Sequence, residues 1–275
     1  MTLAVAFKGP EGLVLAADSR LTLTASLATG EQVVSYFDNA TKLVGIEGQP
    51  YAGVLTYGLG AIGTSQPRSV LGFISEFETK LAAEHDARKK DGARLKVVDI
   101  ARKLGEFYSE QWQKAAMPAD SSPIFFLVAG FDEGEAYGRI YGITVPSALE
   151  PVAYCADYFG VRWGGESELA NRLINGFDPR ASTVAKDQLK LTNAQVQGLE
   201  KKWTQELELS FPYQFLPLQD CVDLATFLVT MTSAVQSWTL VGSRGVGGAV
   251  DVATITRSQG FQAVKQKRIE VREWH

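Results

Sequence analysis

The chain has 275 residues, 45% of them hydrophobic and 21% charged, a balance that supports a sizeable buried core. Its net charge of -4 points neither to nucleic acid nor to an anionic membrane surface. No apolar run approaches the roughly 20 residues of a membrane helix, and no basic stretch followed by an apolar one opens the chain, so a cytoplasmic protein is expected.

Leu3 to Phe7 is an apolar, strand-like run, and Lys8-Gly9-Pro10-Glu11-Gly12 is a turn signal. A second apolar run, Leu13 to Ala17, ends at Asp18-Ser19-Arg20, so the chain opens with a hairpin. Residues 22–38, rich in Thr, Ala and Ser, read as a long loop or an extended hairpin; strands are expected at Lys42–Glu47 and Tyr51–Tyr57. The period then changes to that of a helix, with Val70, Phe73, Ile74, Phe77 and Leu81 on one face. Charged residues 84–96 interrupt it as a solvated loop, and a second helix carries Val97, Ile100, Ala101, Leu104, Phe107, Tyr108 and Trp112. Ile124 to Phe131 reads as a buried strand, with further strands at Arg139–Thr144 and Val152–Asp157. A helix is expected over Glu166–Asn175, ended by Gly176 and Pro179. Residues 178–210 are polar, and Thr192 and Gln195 have capping-box spacing for a surface helix. A long helix from Asp220 aligns Leu224, Phe227, Leu228, Met231, Val235 and Trp238, before closing strands at Ala249–Arg257 and Phe261–Lys265. Strands, two helices, strands, two helices, strands is not the alternation of a parallel sheet. It suits an α+β protein in which two antiparallel sheets pack face to face, each with a helix layer outside.

The chemistry is bounded by what is scarce. Cys155 and Cys221 lie in unrelated segments and read as small core residues. The two histidines are His85, inside a charged stretch, and His275, the last residue; neither offers the well-held imidazole of a serine or cysteine triad or of a histidine metal site. A hydrolase built from this chain needs another base. Thr2 supplies one if Met1 is removed, because a terminal threonine carries its own α-amine beside its hydroxyl, with a reference pKa of about 7.7 to 8.0. A nearby ammonium keeps that amine neutral by repulsion, and a carboxylate must hold the ammonium. Asp18 and Lys42, at the end and the start of apolar strands, are the candidates, and Arg20 is expected on the same strand face as Asp18.

The ordered set Thr2-Leu3-Ala4-Val5-Ala6-Phe7, Gly12-Leu13-Val14-Leu15-Ala16-Ala17-Asp18-Ser19-Arg20, Thr41-Lys42-Leu43 and Gly53-Val54-Leu55-Thr56-Tyr57-Gly58 resembles proteasome β-subunits and their bacterial ring-protease relatives. Val222-Asp223-Leu224 and Gly247-Gly248-Ala249-Val250-Asp251-Val252-Ala253-Thr254-Ile255 continue the likeness. The resemblance implies the four-layer αββα sandwich of the N-terminal nucleophile hydrolases, a single domain over 1–275, and insertions near 22–38 and 178–210. It implies Thr2 as nucleophile and base, Lys42 tuning the amine, Asp18 orienting Lys42, and the Gly58 N–H holding an oxyanion. With Arg20 beside the site, Ala40, Val44 and Thr56 would line a small neutral substrate pocket. Two positions depart from the pattern: where the family has an aspartate and a serine before the glycine pair, this chain has Ser243 and Val246. The implied function is a threonine peptidase in a homo-oligomeric ring or related assembly, without cofactor or metal, acting on peptides or unfolded proteins. A separate ATP-driven unfoldase would be a partner. A hydrolase of small amides and a scaffold with a decayed site are the alternatives.

Gly58-Leu59-Gly60-Ala61-Ile62-Gly63 matches a dinucleotide-binding fingerprint but lacks an acid at the end of a following strand, since Glu76 and Glu78 fall in a helix. Asp132, Glu133 and Glu135 lack calcium-loop spacing and read as a solvated turn. Lys265, Lys267, Arg268 and Arg272 read as a solvated strand and tail.

Overall fold

The first strands are β1 (Leu3–Lys8), β2 (Leu13–Asp18), β3 (Leu21–Ser26), β4 (Gln32–Phe37), β5 (Leu43–Ile46), β6 (Gln49–Gly58), β7 (Ala61–Ile62) and β8 (Arg68–Ser69). A 3-10 turn, Val70–Phe73, leads into α1 (Ile74–Arg88) and α2 (Val97–Lys114). Next come β9 (Ile124–Gly130), β10 (Arg139–Val145), β11 (Ala148–Tyr154) and β12 (Gly160–Gly165). The chain ends with α3 (Glu168–Ile174), α4 (Arg180–Leu189), α5 (Asn193–Leu207), α6 (Leu218–Trp238), β13 (Val250–Thr256) and β14 (Gly260–Lys265). The computed structural model describes residues 2–26, 29–88, 94–239 and 244–268; Met1, Ser243, Arg272 and His275 lie outside them.

The protein is a mixed α/β structure with antiparallel sheets. One five-stranded sheet has the order β12-β1-β2-β13-β14 and the other β11-β10-β9-β6-β5. In the first, Leu3, Val5, Phe7, Val14 and Ala16 pack against Ala170 and Ile174 of α3 and Cys221, Ala225, Leu228 and Val229 of α6. The alternate residues Ala4, Ala6, Leu13, Leu15 and Ala17 meet Leu43, Leu55, Leu127 and Ala129 of the second sheet. Val54, Phe126 and Val128 of the second sheet pack with Phe77, Leu81, Val97, Ile100, Leu104 and Tyr108 of α1 and α2. A strand covered on both faces has no solvent face to keep polar, which is why β1 and β2 read as unbroken apolar runs.

Several elements differ from expectation. Residues 84–88, expected in a loop, continue α1. The strand expected at 152–157 is β11, four residues earlier. Strand β12 has no sequence counterpart: only Val161, Arg162 and Trp163 stand between flanking glycines. The polar stretch 178–210 holds two helices, and the Thr192–Gln195 capping box forms in both directions at the start of α5. The helix expected from Asp220 begins at Leu218, and its buried face is Cys221, Val222, Ala225, Leu228, Val229 and Thr232. Phe227 and Trp238, expected inside, are exposed. Cys221, Ala225, Leu228 and Val229 meet the sheet, and the aromatic Phe227 and Trp238 are left outside it.

The glycines of the fingerprint-like segment build a small hairpin: β7 pairs with β8, and no helix opens at Gly63. Asp132 accepts the Val97 N–H at the start of α2 at 2.7 Å, and Glu135 pairs with Arg139. Cys155 and Cys221 are both buried, and burial pushes the Cys221 thiol up to about 11.

Candidate active site

Thr2 lies at the mouth of β1, Asp18 closes β2, and Lys42 stands one residue before β5. Their exposures are 3%, 1% and 7%. Lys42 Nζ donates to Thr2 Oγ1 at 2.5 Å, to Asp18 Oδ1 at 3.1 Å and to the Arg20 carbonyl at 2.5 Å. Nζ is thereby within hydrogen-bond reach of three oxygens. Asp18 is held in turn by backbone N–H groups: Leu3 at 3.1 Å on Oδ1, and Arg20 at 3.0 Å and Gly247 at 3.1 Å on Oδ2. The carboxylate therefore ties the starts of β1, β3 and β13 to one point beside the threonine. Burial disfavours both charges, pushing the Lys42 ammonium down and the Asp18 carboxyl up; each partner's charge opposes the other's shift.

Above this pair opens a cavity of about 950 Å³. Thr2, Arg20, Ala40, Lys42, Val44, Thr56 and Gly58 all line it. Gly58, at the end of β6, has φ of +88°, and a Cβ there would stand 2.5 Å from the Pro123 carbonyl oxygen, so this position requires glycine. The β3–β4 hairpin contributes Leu21, Thr22, Tyr36, Phe37 and Asp38 as a wall. Arg20 departs from expectation. Strand β2 has ended before it, and its guanidinium turns to Asp38, at 2.6 and 2.8 Å, and to the Arg244 carbonyl. Its carbonyl, not its charge, faces Lys42. Ser243 falls outside the described residues, and Val246 is buried with its N–H on Gln236 Oε1 at 2.9 Å.

A scan against protein-family models and a search of curated proteins return no match. Among solved structures, the chain is similar to one described as an Anbu (Gly-1) mutant from Hyphomicrobium sp. strain MC1. That similarity has a TM-score of 0.49 and 17% identity, over 98% of this chain and 87% of the other. At that looseness the likeness carries no argument, and the site stands on its own geometry.

Four groups near the threonine escape a reading of the sequence. Glu166 donates its N–H to the Thr2 carbonyl at 2.7 Å, and its half-buried carboxylate accepts from Gln236, with burial raising its pKa. Gly247 holds Asp18 through its backbone, which no side-chain signal reports. Asp38 pairs with Arg20 across the hairpin. Asp251 is buried against Ser19 and Lys267, so Lys267 is not the solvated tail residue expected.

Proposed function

We propose that this chain is an N-terminal threonine hydrolase that cleaves amide bonds through an acyl-enzyme ester on Thr2. The observation that carries the reading is the 2.5 Å contact of Lys42 Nζ with Thr2 Oγ1, in a buried group backed by Asp18 and opening onto a cavity. Lysine stands closer to the hydroxyl than a purely electrostatic role requires. Burial favours its neutral form, and a neutral amine one hydrogen bond from the hydroxyl takes the proton as the oxygen attacks the carbonyl. With Met1 removed, the proton taken up by Lys42 passes through the Thr2 α-amine to the leaving amine; the α-amine then takes a proton from the water that attacks the ester and returns it to the departing Thr2 oxygen. The oxyanion falls to the Gly58 N–H. Thr56 donates its own N–H to the Lys42 carbonyl. Alternation along β6 aims the N–H two residues on at the same edge, beyond the point where β5 begins.

The packed sheets and helices are read, on this proposal, as a four-layer αββα sandwich in a single domain, with the β3–β4 hairpin and α4–α5 as additions. Peptide or unfolded-protein substrates, assembly with copies of itself in the cytoplasm and feeding by a separate ATP-driven unfoldase belong to the same proposal. One observation favours small amides instead: the β3–β4 hairpin adds Leu21, Thr22, Tyr36 and Phe37 to the cavity lining. A panel of unfolded proteins against short acyl amides separates the two, since a peptidase degrades the first. The deciding experiment is mass spectrometry of the protein after exposure to an activated acyl ester. An adduct on Thr2 that requires a free amine and disappears in Thr2→Ala supports the reading. Adducts elsewhere, or full hydrolysis by Thr2→Ala, overturn it; a parent protein that forms no adduct and hydrolyses nothing favours the decayed scaffold.

A further inference from the structure

Behind the Lys42–Asp18 pair lies a second buried ion pair that the proposed reaction does not use. Asp251, on β13, is buried facing the inter-sheet core. Its Oδ1 accepts the Lys267 backbone N–H at 2.9 Å, and its Oδ2 accepts Lys267 Nζ in a short contact. Both side chains are withdrawn from water, at 15% exposure for Lys267 and 4% for Asp251. Ser19, fully buried between Asp18 and Arg20, donates its hydroxyl to the same Asp251 oxygen at a long 3.4 Å. Ser19 is further fixed by its N–H on the Gly247 carbonyl at 3.1 Å, and its carbonyl accepts the Ala40 N–H at 2.9 Å. The residues on either side of Ser19 are the ones that hold Lys42: the Asp18 carboxylate and the Arg20 carbonyl.

We propose that Lys267 is a positioning residue for the Lys42–Thr2 pair: by closing on Asp251 it locks Ser19, and with it the Asp18–Arg20 segment that grips the Lys42 ammonium. The charges that act on Lys42 are Asp18 from β2, in direct contact, and, at longer range, Arg20 just beyond it and Lys267 beyond β14. After burial, which lowers the Lys42 pKa most, Lys267 and Arg20 lower it and Asp18 raises it. Arg20 is already neutralised by Asp38, whereas Lys267 shares its buried partner with Ser19. Residues after β14 thus bear on the chemistry of a threonine at the other end of the chain. A structural ion pair would hold the segment but leave the lysine's titration alone.

This inference rests on Thr2 as nucleophile, so the test has two independent readings in the full-length protein. The first is the pH dependence of Thr2 acylation by an activated small ester. The second is direct NMR titration of the lysine side chains in ¹³C-lysine protein, with Lys42 assigned through Lys42→Arg. Lys267→Met removes a like charge near Lys42 and leaves Asp251 without its ammonium, so the Lys42 midpoint is expected to rise, and acylation near neutral pH to fall about tenfold. Lys267→Arg restores both. Should Lys267→Met fail to fold, Lys267→Gln, which keeps a donor toward Asp251 without the charge, takes its place with the same expected shift. An unmoved Lys42 midpoint in a folded, uncharged variant overturns the inference. A parent protein that is never acylated at Thr2 overturns the nucleophile, and the NMR titration still decides whether Lys267 acts on Lys42.

Discussion

Thr2, Lys42 and Asp18 form a chain of contacts in which each member answers a need of the next. The hydroxyl needs a proton acceptor, the lysine needs burial to be one, and the buried lysine needs a carboxylate to remain in place. Lys42→Ala is expected to cut amide hydrolysis by about 10²–10⁴ while leaving binding of an unreactive substrate analogue unchanged; an equal loss of both would mean that Lys42 serves binding. The pH dependence follows from the direction of the Lys42 shift. Its folded pKa lies below 10.5, so the neutral fraction, and with it the rate, rises with pH through that depressed value. A rate that falls with pH over the same range, measured by initial velocities in constant ionic strength, would exclude Lys42 as the acceptor.

Strand ends and turns position these residues, and their backbones are less replaceable than their side chains. Gly58 takes a positive φ beside the Pro123 carbonyl, so Gly58→Ala must shift the end of β6. The expected result is a loss of roughly 10² in rate, with about 1 kcal/mol or more lost in thermal stability. Elsewhere the element scale separates stability from function. Helix α5 buries none of its residues and is started by the Thr192–Gln195 box. Removing the cap in Thr192→Ala costs about 1 kcal/mol locally. Hydrogen exchange should therefore quicken in α5 while the global melting temperature and the rate stay as in the parent. A global shift would show that α4 and α5 are integral to the core.

At the scale of the whole molecule, each sheet has one face on the other sheet and one under helices, and the cavity lies beside Thr2 and Lys42 at the ends of their strands. The exposed Tyr36 and Phe37 of the β3–β4 hairpin line the cavity, and Leu23 and Val34 are exposed on the same hairpin. If the protein works in an assembly, light scattering after size exclusion will give a mass several times that of one chain. A monomer with full activity would remove the ring from the proposal. Intact mass will also show whether the active protein begins at Thr2; full activity with Met1 retained would take away the amine.

The amino-acid sequence by itself determined the short-range facts. Unbroken apolar runs bounded by glycine and proline placed β1, β2, β6 and β9, and period alone identified the buried face of α2. The site was partly legible for the same reason: Thr2, Asp18 and Lys42 each stand at the end of such a run, where a chain leaves its sheet. The tertiary structure alone decided what crosses between strands far apart in the chain. Pairing of β12 with β1 brings Glu166 to Thr2, and pairing of β13 with β2 brings Gly247 and Asp251 to Asp18 and Ser19. The bound Asp251 then draws in Lys267. It also rotated α6, burying Cys221, Val222, Ala225 and Val229 beside Leu228 and leaving Phe227 and Trp238 exposed. Hydrophobic pattern is written locally, but a hydrogen bond between partners more than 200 residues apart exists only once the sheets have paired.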